Sequence, residues 1–137
     1  MGKLAGFGLA LALMGSVPAI AHHSFAAEYD ANKPVTMTGT VTRIDWENPH
    51  AHIYMDVKGE NGQTTNWNVE LGNPQKLQNL GWKKDMVKMG DQITVDGWKA
   101  LDGSNRANAN DIMFPNGKKM AAGSSYFERS QEKPAGN

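Results

Sequence analysis

Val35-Thr36-Met37-Thr38-Gly39-Thr40-Val41-Thr42 alternates apolar or small residues with threonine. A two-residue period carried by β-branched side chains is the pattern of a strand with one buried face and one wet face. Ile44 and Trp46 continue the apolar series on the opposite parity, which predicts a bulge or strong bend near Thr42 and Arg43. Asn48-Pro49 then breaks the strand.

Downstream, the same reading yields four more strands. Ala51, Ile53, Met55 and Val57 share one parity of a second strand, with His50, His52, Tyr54 and Asp56 on the other. Asn61-Gly62 is a hairpin signal. Thr65, Trp67, Val69 and Leu71 form the buried parity of a third strand, opposite Asn66, Asn68 and Glu70. Asn73 as N-cap and Pro74 in the first turn open a short helix, with Leu77 and Leu80 facing inward and Gly81 ending it. A fourth strand holds Ile93 and Val95 and, after a bulge, Trp98; residues 107–114 form the fifth. A bent first strand and a helix between strands three and four predict an all-β, five-stranded OB-like barrel, with a small open β-sandwich as the competing arrangement.

The first 21 residues read as a secretory signal: Lys3, a short apolar run over residues 4–14, and Val17-Pro18-Ala19-Ile20-Ala21 as a small-x-small cleavage site. That run is too short for a stop-transfer helix. The organisation expected is a signal at 1–21, an N-terminal arm at 22–34, the β domain at 35–127 and a disordered tail at 128–137. The product is expected to be periplasmic or secreted, without stable membrane insertion after cleavage. Without Lys3, 13 basic residues face 14 acidic ones, so nothing in the charge drives phosphate binding, and no nucleic-acid partner is expected. The chain has no cysteine, which excludes disulfides, thiolate metal sites and a cysteine nucleophile.

Ala21-His22-His23-Ser24-Phe25, Asn48-Pro49-His50-Ala51, Trp67-Asn68-Val69-Glu70-Leu71-Gly72 and Gly90-Asp91-Gln92-Ile93-Thr94-Val95-Asp96-Gly97 together resemble a family of small exported bacterial proteins of uncharacterised function. The likeness runs from His22 to about Ser125. It implies export and a small β-barrel-like fold, and it brings no activity or cofactor.

The chemistry concentrates in the four histidines. Cleavage after Ala21 would place a new α-amine beside His22 and His23, a dense set of nitrogen donors for copper or zinc. His50 and His52 lie two apart on a strand and so share a face. If Ile53 pairs with Val69, then His52 stands opposite Glu70 and Tyr54 opposite Asn68; a shift by two puts Tyr54 opposite Glu70 instead. Either register gives one polar strip. The candidate metal set is His22, His23, His50 and His52, with Glu70 as an oxygen ligand or supporting partner. Trp46, Tyr54 and Asn68 make a candidate ligand face for stacking and hydrogen bonding. Met86 and Met89 are three apart, but gap-filling is the ordinary use of such residues.

No catalytic residues are assigned. No carboxylate spacing, nucleophile elbow, phosphate loop or calcium loop is present. The leading expectation is an exported binding module that captures copper or zinc. The alternatives are a metal-free protein- or glycan-binding module and a copper-dependent redox enzyme.

Overall fold

A computed structural model describes residue 2 and residues 25–126. Their order is α1 (Phe25–Glu28), β1 (Tyr29–Asp45), β2 (His52–Lys58), β3 (Thr64–Glu70), α2 (Pro74–Asn79), β4 (Gln92–Ala100), β5 (Arg106–Met113) and β6 (Lys119–Ala121). The strands follow the order β3-β2-β1-β4-β5-β6, and β3 also pairs with β5. That parallel pairing, Asn68 with Arg106 through Glu70 with Asn108, closes a ring of five strands. The OB-like barrel is therefore the architecture, not the open sandwich.

β1 is long enough to serve two neighbours because it bends. Its first part pairs with β4 and its last part with β2. Val41 pairs with Met55 and Arg43 with Tyr54, so Thr42 is the extra residue of a bulge at the predicted place. The bulge reverses the parity, which lets Ile44 pack against the same core as Met37 and Val41. That core also takes Ile53, Met55, Val69, Ile93, Val95 and Ile112, all buried. Each such side chain contributes roughly 1.5–3 kcal/mol by leaving water. Trp67 packs half-buried against it.

α2 begins as the sequence indicates: the Asn73 side chain accepts from the Lys76 amide at 2.8 Å, and Pro74 occupies the first turn. Leu77 is fully buried, whereas Leu80, expected to face inward, is the C-cap residue and is exposed. The helix ends too soon to turn a second leucine to the core. Trp82 takes that place, buried between Trp46 and Phe114 with its Nε1 donating to the Ala121 carbonyl at 2.8 Å.

Three further elements differ from expectation. β1 starts at Tyr29 rather than Val35; residues 31–34 are exposed and carry no alternation to reveal it. The second bulge lies in β5, where Asp96 pairs with Asp111 and Gly97 with Ala109, leaving Asn110 as the extra residue. β4 itself alternates without interruption through Gly97, and a Cβ there would lie 2.1 Å from the Asn108 carbonyl oxygen. Trp98 faces the other way because a second small cluster of Phe25, Tyr29 and Ala100 receives it. The short β6 completes the differences.

Candidate functional site

The β2–β3 register is the first of the two considered: His52 opposite Glu70 and Tyr54 opposite Asn68. Ahead of the start of β2 the pairing continues, with Ala51 donating to the Gly72 carbonyl at 3.0 Å and accepting from the Leu71 amide at 2.8 Å. This pairing holds His50 beside the end of β3. Its Nδ1 lies 3.0 Å from Oε1 of Glu70, a carboxylate only 6% exposed.

The other carboxylate oxygen of Glu70 accepts from the Tyr29 hydroxyl at 2.6 Å. Burial acts to raise the Glu70 pKa, but the hydrogen bonds from His50 and Tyr29 and the nearby imidazoles outweigh it and hold the carboxyl below its ordinary range. Burial, followed by the charge of Glu70, pushes the Tyr29 phenol far up, so it stays a hydrogen-bond donor. Arg106 closes the chain of contacts, donating from Nη2 to the Tyr29 oxygen at 3.3 Å and to Oε1 of Glu28 at 3.4 Å.

Sequence reasoning did not find Tyr29, Arg106 or Glu28. Tyr29 lies 41 residues from Glu70, in a stretch without periodicity, and Arg106 reaches the site only through the β3–β5 closure. No local pattern announces either.

The predicted strip is real but divides its work. His50 turns to Glu70, whereas His52 places Nδ1 2.8 Å from Oδ1 of Asn68. With an amide oxygen facing it, that nitrogen is the donor. The rings of His52 and Tyr54 stack at 6.4 Å, and the Arg43 guanidinium covers the Tyr54 ring at 4.2 Å while pairing with Asp45. Trp46 is half-buried beside Trp82, with ring centroids 6.4 Å apart, and lines a narrow crevice with Ile44, His52 and Lys83.

Among the described residues no group of three or more His, Cys, Asp or Glu is arranged to hold a metal ion. His22 and His23 lie outside the described residues, as do residues 3–21 of the expected signal and the tail from residue 127. Among the described residues no helix is long and apolar enough to cross a membrane.

Residues 10–109 match a family model described as a family of unknown function (DUF6152). No curated protein matches the chain by sequence. Among solved structures, the mitochondrial single-stranded DNA binding protein Rim1 of S. cerevisiae is similar at 15% identity. The match covers 61% of this chain and 93% of that one, with a TM-score of 0.47. The expectation of no nucleic-acid partner stands against this likeness to a DNA-binding protein and is withdrawn.

Proposed function

This chain belongs to that family of unknown function, DUF6152, and from its site we propose an exported binding module that captures one copper or zinc ion at the barrel rim beside Glu70. The observation that carries the reading is the His50–Glu70 contact at 3.0 Å. A carboxylate accepting from Nδ1–H fixes the imidazole as the tautomer whose lone pair is on Nε2 and makes that nitrogen a better donor, the arrangement that supports metal-ligating histidines. Glu70, buried and already accepting from two donors, orients His50 rather than ligating.

The principal further ligands proposed, His22 and His23, lie outside the described residues. His23 precedes Phe25 by two residues, so chain connectivity keeps its Cα within about 7 Å of that of Phe25. Phe25 packs on Tyr29, and Tyr29 bonds Glu70, so the described chain begins two contacts from the His50–Glu70 pair, which supports His22, His23 and a freed α-amine as the further ligands. Nitrogen-rich ligation without thiolate suits Cu(II) or Zn(II). Among the described residues His52 is the auxiliary ligand: with Nδ1 donating to Asn68, its Nε2 carries the lone pair.

The intact mass of the protein recovered from the exporting cell, under conditions that preserve bound ions, tests this reading. A chain beginning at His22 and carrying one copper or zinc supports it. A chain beginning elsewhere, or one that holds no ion after incubation with either metal, overturns it and favours the metal-free protein- or glycan-binding module.

A further inference from the structure

Both ends of the described domain meet on one indole. Phe25 is buried, with its ring centroid 5.3 Å from Trp98, 5.7 Å from Tyr29 and 5.0 Å from Tyr126. Tyr126 in turn lies 4.6 Å from Trp98. The turn that carries Tyr126 is fastened from below: Ser124 Oγ donates to Oδ1 of Asn108 at 2.5 Å and accepts from the Tyr126 amide at 3.1 Å. Asn108 stands across from Glu70 on β3 and from Trp98 on β4, so the fastening point lies next to the site.

Closure is the favoured state for a physical reason. Asn108 is 1% exposed and its Nδ2 has no partner among the described residues, so Ser124 supplies the partner of its other polar atom. Opening the turn would remove that bond too, and a buried polar group without a partner is costly. Tyr29 belongs to both halves of the arrangement: its ring packs on Phe25 and its hydroxyl holds Glu70.

We propose that residues 124–126 act as a strap, in which Tyr126 and Ser124 press Phe25 onto Trp98 and so set the Tyr29 hydroxyl on Glu70, orienting the His50–Glu70 pair only while the strap is closed. Tyr126 is then a positioning residue that touches no ligand, and anything that lifts the C-terminal turn loosens the rim. The consequence for metal affinity rests on the metal-binding reading above; the structural coupling does not.

The test uses the full exported chain as wild type, Tyr126→Ala, Tyr126→Phe and Ser124→Ala, observed by proton NMR and by zinc titration. The wild type is expected to show a slowly exchanging Tyr29 hydroxyl proton. Tyr126→Ala and Ser124→Ala should abolish it and move the His50 ring resonances, while Tyr126→Phe should keep both. Zinc affinity should fall about tenfold in the first two variants only. A folded Tyr126→Ala protein that retains the hydroxyl proton and the His50 resonances overturns the strap. A wild type that shows the coupling yet binds no zinc supports the strap and overturns the metal reading alone.

Discussion

The Tyr29 hydroxyl donates to the Glu70 carboxylate at 2.6 Å, joining the first residue of β1 to the last residue of β3. β1 and β3 are not neighbours in the sheet, so this bond crosses the end of the barrel. It also supplies one of the two hydrogen bonds that keep a buried carboxylate charged. Removing the hydroxyl alone therefore takes one of its two partners from a buried charged group while leaving the ring packed. Tyr29→Phe is expected to destabilise the protein by about 1.5–3 kcal/mol, the range for a hydrogen bond to a charged group. Urea unfolding of the two proteins checks it; equal midpoints would show that Glu70 does not need the bond.

Gly97 faces the bulge of β5 with no room for a side chain, since a Cβ would lie 2.1 Å from the Asn108 carbonyl oxygen. The obstructing atom is backbone, and it lies in the strand that closes the ring, so it cannot step aside cheaply. Gly97→Ala is expected to cost at least about 1–3 kcal/mol, the usual penalty for overpacking. A chemical denaturation curve for the variant that overlays the wild type would contradict the close approach of β4 to β5.

Asp96 binds β6 to the barrel, accepting from Lys119 Nζ at 2.8 Å and from Thr36 Oγ1 at 2.7 Å. The bond from Lys119, then that from Thr36, holds its carboxyl below the ordinary value of 3.8. A depressed carboxylate pKa adds stability above the unfolded value and loses it as pH falls through the folded one. The melting-temperature advantage of the wild type over Asp96→Asn should thus be steady above about pH 5. It should shrink as pH falls below 3.8. The site is partly exposed, so the advantage is small and should weaken with salt. A gap that stays constant from neutral pH down to pH 2 would rule out this titration as its source.

The threonine alternation of residues 35–42 disclosed the bent first strand, because one-sided burial imposes a period of two wherever a strand covers a core. The same parity logic put His52, Tyr54, Asn68 and Glu70 on one strip, since a register slip by one would have turned Val69 and Ile53 to water. It left open the shift by two that the observed pairing of His52 with Glu70 excludes. What stayed hidden has no period. Residues 31–34 lie exposed on an extended strand, so their composition resembles a loop. Leu80, expected to face inward, yields its place to Trp82 because the point at which α2 ends goes with the Trp82 contacts to Trp46 and Phe114. Tyr29 and Arg106 meet Glu70 only through ring closure, a long-range event. The placing of His50 and His52 beside β3 was legible, although β2 begins only at His52; their different partners were not, because side-chain choice between Glu70 and Asn68 follows from local geometry.

In the proposed function His50, oriented by Glu70, binds copper or zinc together with His22 and His23 at the start of a chain cleaved after Ala21. Calorimetric titration of the processed, metal-free protein with Zn(II) and Cu(II) tests it most directly, with His50→Ala and a version bearing one extra N-terminal residue measured alongside. One ion per chain is expected for the wild type, with at least tenfold weaker binding in both altered proteins. Equal binding in all three, or none in the wild type, would contradict it.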